Sequence, residues 1–189
     1  MTEPQPSDDD LLWRMAAGDD GAFTTLYRRR QGAVYRFALH MSGSPVIAED
    51  VTQEVFLELV RHPGGYRAAR GSLPSYLYGI ARNLVLRALA LVRYTVPVSG
   101  EERQSEGGPL DDLTRREMVE EVRQAVLNLP PRYREVVVLC DLEEMDYAGA
   151  AAVLGCAVGT VRSRLHRARA LLAGKLRPRR GAEHELSGV

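Results

Sequence analysis

Long hydrophobic runs are missing from this chain, and so is the usual equipment of an enzyme. No apolar stretch among the 189 residues approaches the length needed to cross a bilayer. The opening MTEPQPSDDD also lacks the charged-then-apolar order of a secretion signal, so the expected location is cytoplasmic. Its two cysteines, Cys140 and Cys156, stand alone, with no C-x-x-C pair and no histidine at ligand spacing. The four histidines, His40, His62, His166 and His184, are scattered, and no glycine loop is built to cradle phosphate. The reading is a non-enzyme with no cofactor and no metal. Aromatic residues are scarce as well, one Trp and three Phe beside eight Tyr, so any core must be aliphatic.

What is present is charge, balanced overall and sorted along the chain. Formal net charge is zero, yet residues 158–180, VGTVRSRLHRARALLAGKLRPRR, carry eight Lys/Arg and no acid. Val161, Leu165, Ala168 and Leu172 recur at helical spacing and predict a helix with one apolar stripe. Ser163, His166 and Arg167 fall on the opposite side, with Arg162, Arg164 and Arg169 on the flanks. Such a helix has its back in a core and its front available to a polyanion.

The residues before it sharpen that reading. In DYAGAAAVLGCAVGT, Asp146 can cap a short helix over about 147–154 by accepting a backbone N–H bond. Gly155 can take the positive φ of the following turn, and the basic helix starts near Val158 or Gly159. Short helix, tight turn and basic second helix make a helix-turn-helix, whose second helix enters the DNA major groove by its N-terminal part. Thr160, Arg162, Ser163, Arg164, His166 and Arg167 sit there, with donors suited to phosphates and base edges.

The N-terminal half also reads as all helix. Helices are expected over about 8–17, 21–41, 45–61 and 74–93, with Asp19 or Asp20 capping the second. Ser44 caps the third with Pro45 at its first position, and Pro74 opens the fourth. Residues 96–112, VPVSGEERQSEGGPLDD, carry five acids and almost no large apolar side chain, and read as a flexible acidic linker. The fold class is therefore all-α, two small helical domains joined by that linker, the first a three- or four-helix bundle. On the third helix, Ile47, Ala48, Val51, Val55 and Leu59 form the inward stripe. Phe56, Leu57 and Val60 are expected on the other side among Glu49, Asp50 and Gln53, which predicts a second neighbour. On the fourth, Leu77, Ile80, Leu84, Ala88 and Leu91 are the expected core stripe. Tyr78 and Arg82 point away from it and Asn83 lies at its edge, a set suited to unpaired bases.

The run LPPRYREVVVLCDLEEMDYAGAAAVLGCAVGTVRSRLHRARALL resembles the promoter-binding region 4 of extracytoplasmic-function sigma factors of the sigma-70 family. AEDVTQEVFLEL at 48–59 is similar to region 2.2 of that family, and SYLYGIARNL at 75–84 to regions 2.3 and 2.4. The resemblance implies region 2 over 8–95, a linker over 96–112 and region 4 over 113–177. It implies a transcription initiation factor that binds core RNA polymerase, directs it to promoter DNA and helps melt the −10 element. Asp50, Gln53, Glu54 and Phe56 would then meet the clamp helices of the largest polymerase subunit. Tyr66, Arg67, Tyr78, Arg82 and Asn83 would serve the −10 DNA, with Asn83 reading a flipped base. Thr160, Arg162, Ser163, Arg164, His166 and Arg167 would serve the −35 element. Members of the family are commonly held by an anti-sigma factor. Four positions depart from the family pattern: Tyr76 replaces a Trp, Arg87 an Asp, Ala90 an Arg and Gly149 a Glu. A stand-alone helix-turn-helix regulator would use the same recognition helix, but it gives no account of AEDVTQEVF together with IARN.

Overall fold

Helix capping sets the order of elements in the computed structural model, which describes residues 5–95 and 110–176. Helix α1 (Asp8–Ala16) opens with a capping box: Ser7 Oγ accepts the Asp10 N–H at 3.1 Å, and the Asp10 carboxylate accepts the Ser7 N–H at 3.1 Å. Asp19 caps α2 (Asp20–Ser42) through the Ala22 N–H, and Ser44 caps α3 (Pro45–Arg61) through the Ile47 N–H. Two short 3-10 turns, Pro63–Gly65 and Ala68–Arg70, lead into α4 (Leu73–Thr95).

Helix α5 (Leu110–Leu127) begins inside the expected linker, three residues before the anticipated start of the second domain; residues 96–109 lie outside the described part. Helix α6 (Pro131–Val137) starts on a proline and continues as a π turn over Val138–Leu142. Asp146 then caps α7 (Tyr147–Leu154), with its carboxylate 2.6 Å from the Gly149 N–H. Gly155 adopts φ 62°, and α8 (Val158–Lys175) follows. All described elements are helical, and the helix-turn-helix has the expected bounds.

Apolar burial explains the packing and corrects two expectations. Leu11, Leu26, Phe37, Met41, Val55 and Leu59 fill the first domain, while Val136, Leu139, Val161 and Leu165 fill the second. Phe56 is not on the outer side of α3. It is 2% exposed, and its ring meets Tyr27 edge-on at 4.8 Å. Residues 55 and 56 both point inward because α3 packs against α2 and α4 at once, which widens its buried arc.

The stripe of α4 is also shifted. Leu73, Leu77, Tyr78, Ala81 and Val85 are buried, whereas Leu91 is 66% exposed. Tyr78 stacks obliquely on Phe37, with centroids 5.1 Å apart. Tyr78 is covered from two sides, by Phe37 of α2 and by Glu143 of the second domain, while α7 packs near Ser75 at the start of α4.

The two domains pack on one another, and their buried apolar side chains form one contiguous cluster. Arg134 on α6 donates to the Met41 carbonyl at 2.7 Å and also to the Leu127 carbonyl, while Arg123 reaches the Gly43 carbonyl at 3.2 Å. Replacing Phe56 with Ala is expected to cost about 3–5 kcal/mol, the range for emptying a buried aromatic site. Urea unfolding of the variant checks it, and a loss below about 1 kcal/mol would return Phe56 to the surface.

Candidate nucleic-acid interface

The recognition helix owes its outward basic face to the burial of the other side. Val161, Leu165 and Ala168 are buried, while Arg162, Ser163, His166 and Arg167 are exposed and Thr160 and Arg164 half-buried. The structure thus brings the six expected residues together on the N-terminal half of α8. Neighbouring side chains orient several of them. The Arg162 guanidinium lies 5.6 Å from the Tyr147 ring centre, a cation–π contact across the helix-turn-helix. A hydrogen bond with Arg167 holds the Tyr133 phenol below its usual range, with Arg132 stacked on that ring at 4.8 Å adding to the effect. Ser163 Oγ donates to the Thr160 carbonyl at 3.0 Å.

Arg169 is differently placed. Its Nη2 and Nε donate to the two Asp141 oxygens at 2.6 and 3.1 Å, a bidentate clamp between α8 and the π turn. Burial, and after it Asp141, pushes the neighbouring Cys140 thiol up to about 11, so this cysteine stays protonated and unreactive at neutral pH.

On α3, Asp50 and Gln53 are exposed, and Glu54 pairs with Arg61 at 3.0 Å. Val46, Leu57 and Val60 lie exposed on the same helix, so its outer side is partly apolar even without Phe56. In the 62–73 loop, Arg67 is exposed and Tyr66 half-buried. The Tyr66 hydroxyl donates to Asp9 at 2.9 Å, and burial, reinforced by that carboxylate, pushes the phenol up to about 12. Its ring lies 5.8 Å from that of Tyr76, the residue standing in place of the family's Trp.

The set expected on α4 divides. Asn83 is exposed, but Tyr78 is buried and Arg82 half-buried. Tyr78 is 6% exposed, and its hydroxyl donates to Glu143 at 3.0 Å. Arg82 Nε donates to Glu135 at 2.8 Å. Both carboxylates belong to the second domain, so side chains expected on DNA are instead held by the other half of the chain.

Glu143 is the more enclosed of the two carboxylates. Its side chain is 2% exposed and also receives Arg36 at 3.3 Å. Burial pushes the carboxyl above its usual range, while Tyr78 and Arg36 pull it back. His40 Nδ1 lies 4.0 Å from Glu143 Oε1, and neither atom has a hydrogen-bond partner among the described residues. Burial, with Arg123 and Arg36 nearby, lowers the His40 pKa, which disfavours the charged imidazole there.

Sequence reading missed Glu135, Asp141 and Glu143. For Asp141 and Glu143 the available signal was the acidic run DLEEMD ahead of the helix-turn-helix; Glu135 had no such signal. Among the described residues no cluster of His, Cys, Asp or Glu could hold a metal, and no helix is long and apolar enough to cross a membrane.

Comparison with known proteins bears on both halves. Residues 26–92 match the Sigma-70 region 2 family, and residues 119–172 match Sigma-70, region 4. The chain is 35% identical over 163 residues to the ECF RNA polymerase sigma factor SigE of Mycolicibacterium smegmatis, covering 82% of this chain and 62% of that protein. It thus spans less than two thirds of that relative. Identity to the ECF RNA polymerase sigma-E factor of Escherichia coli is 32% over 186 residues, covering 92% of this chain and 96% of that one. Among solved structures, CnrH in complex with the cytosolic domain of CnrY matches with a TM-score of 0.69 at 26% identity, covering 88% of this chain and 95% of that chain.

Tyr78→Phe removes one hydrogen bond to a buried carboxylate and little else. It is expected to lower stability by about 1–3 kcal/mol, the range for a hydrogen bond to a charged group. Chemical denaturation checks it, and an unchanged midpoint would mean that Glu143 is already satisfied without the phenol.

Proposed function

Because the chain belongs to the extracytoplasmic-function sigma factors of the sigma-70 family, we propose that it acts as an alternative sigma factor. It binds core RNA polymerase, brings it to particular promoters and holds the −10 element open. The observation that carries this is the pairing of a region 2 bundle with a region 4 helix-turn-helix in one chain. A repressor with a dimerising domain would have no use for the first of these.

The roles follow from exposure and chemistry. Region 2 spans 8–95 and region 4 113–177, with α5 from Leu110 already helical at the end of the expected 96–112 linker. Asp50, Gln53 and Glu54, flanked by exposed Leu57 and Val60, form the surface for the clamp helices of the largest polymerase subunit. Phe56 has no place in it, being buried. Asn83 and Arg67 are open to −10 DNA, with Asn83 placed to read an extruded base. Thr160, Arg162, Ser163, Arg164, His166 and Arg167 meet the −35 element in the major groove.

Promoter opening exchanges base stacking for binding of unpaired bases and breaks no covalent bond. The protein is therefore a non-catalytic factor, acting in the cytoplasm where the polymerase is. An anti-sigma factor is a fitting regulator, since the sigma factor RpoE of Bartonella quintana, a structure similar to this chain, is in complex with the anti-sigma factor NepR.

Mobility shifts of promoter DNA with and without core polymerase test the reading. Tight specific binding is expected only with core enzyme, because docking fixes the spacing of two weak DNA contacts and raises their effective concentration. Asp50→Ala combined with Gln53→Ala is expected to abolish it without loss of helix content. Tight binding by the free protein as a dimer on a palindrome would favour a stand-alone regulator instead.

In the holoenzyme, Arg162→Ala or Arg167→Ala is expected to cost about 1–3 kcal/mol of promoter affinity for a base contact, or about one unit of salt slope for a phosphate contact. Titrations at several salt concentrations decide which, and no change in either variant would displace the assignment. Asn83→Ala is expected to leave polymerase binding intact and to reduce permanganate reactivity of melted thymines. Equal reactivity would move base reading elsewhere.

A further inference from the structure

Three consecutive acids open α1, and each has a different partner. The Asp10 carboxylate completes the capping box with Ser7. Asp8, whose side chain is 10% exposed, takes Arg29 at 2.8 Å and Arg30 at 2.6 Å, which pins the first turn of α1 to α2. Asp9 is exposed, and its Oδ1 accepts the Tyr66 hydroxyl at 2.9 Å. That bond runs from α1 to the loop between α3 and α4.

The loop needs such a hook. Its sequence, HPGGYRAARGS, has one aromatic side chain and otherwise small, polar or turn-forming residues. A stretch of that composition buries too little to order itself. Tyr66 supplies the missing contact at both ends of its side chain. Its ring packs on the core and lies 5.8 Å from that of Tyr76. Its hydroxyl goes to Asp9, and the Leu73 backbone amide bears on the same oxygen. Gly65 belongs to this seat as well, since a Cβ there would collide with the Tyr76 hydroxyl.

Outside the seat stand Arg67 and Arg70, both exposed, next to and within the Ala68–Arg70 turn. Their guanidiniums make no hydrogen bond or ion pair among the described residues. Arg29 and Arg30 are already taken by Asp8, so a phosphate arriving at the loop finds Arg67 and Arg70 rather than those two.

We propose that Asp9 is a positioning residue of the −10 site: by fixing the Tyr66 hydroxyl it holds the loop in place and sets Arg67 and Arg70 for the phosphates of the unpaired promoter strand. Tyr66 then serves the site as a strut, not as a platform for a base. The proposal rests on the sigma-factor reading for what the loop meets. Arginines held in place bind at a lower ordering cost than arginines on a mobile loop. The sign of the effect is diagnostic. A carboxylate beside a phosphate-binding loop repels DNA, so by charge alone its removal tightens binding. Acting through Tyr66, its removal weakens binding instead.

The test titrates holoenzyme with a fluorescent single strand carrying the non-template −10 sequence of a promoter that the wild type opens. Asp9→Ala and Tyr66→Phe are each expected to weaken binding about fivefold, the worth of one ordinary hydrogen bond, with affinity for core polymerase unchanged. Asp9→Asn still offers an oxygen to the hydroxyl, and is expected to bind as tightly as wild type or more so. Adding Asp9→Ala to Tyr66→Phe is expected to weaken binding no further. Hydrogen exchange of the 66–73 amides in the free protein reads the tie without polymerase. It is expected to quicken in Asp9→Ala and Tyr66→Phe and not in Asp9→Asn.

Unchanged or tighter binding by Asp9→Ala overturns the proposal, as does weakening by Asp9→Asn equal to that by Asp9→Ala, or full additivity in the double variant. Faster exchange without weaker binding overturns it too, the tie then serving the fold alone. A wild-type holoenzyme that does not hold the strand overturns the sigma-factor reading and this proposal together, and that result appears before any variant is made.

Discussion

The guanidinium of Arg134 closes the fold. It sits where two helices end, donating to the Met41 carbonyl in the last turn of α2 and to the Leu127 and Leu129 carbonyls at the end of α5. The last carbonyls of a helix have no partner within it and carry partial negative charge, so one cation with several donors answers both needs. Because α2 belongs to the first domain and α5 and α6 to the second, the same side chain fixes how the domains meet. The placement of Glu135 one residue on, and of Glu143 across the π turn, follows from that anchoring.

Local chemistry was the part most legible in the sequence. Asp19, Ser44 and Asp146 each cap the helix expected of them, and Gly155 takes the left-handed turn before the recognition helix. These signals depend on a few consecutive residues, whatever the rest of the chain does. Burial on α8 also followed its pattern, since one side meets a core and the other meets water. Phe56 and Tyr78 were misplaced for a common physical reason. A single apolar stripe describes a helix with one neighbour, whereas α3 lies against α2 and α4, and α4 against α2, α3 and α7. No periodicity within α4 announces that α7 will cover it. The only trace is the run of small side chains in YAGAAAVL, which allows a close helix approach.

The candidate site was legible in proportion to how little it depends on the other domain. The six recognition-helix residues stand where the helical wheel put them, as do Asp50, Gln53 and Asn83. Arg82 and Tyr78 were assigned by type, and type alone cannot distinguish a side chain waiting for a phosphate from one paired with Glu135 or bonded to Glu143. An arginine that serves two partners in turn looks the same in sequence as one that serves either.

The composition of the interdomain contact makes such an exchange feasible. A joint held mainly by aliphatic burial would lose stability in proportion to the area exposed on opening, at roughly 25 cal/mol per Å². Here the apolar cluster runs through both domains, and Arg36, Arg82, Glu135, Glu143 and Tyr78 add a polar part to the joint. Burial already works against the Glu143 charge, as its raised pKa records, so rehydration returns part of what separation loses.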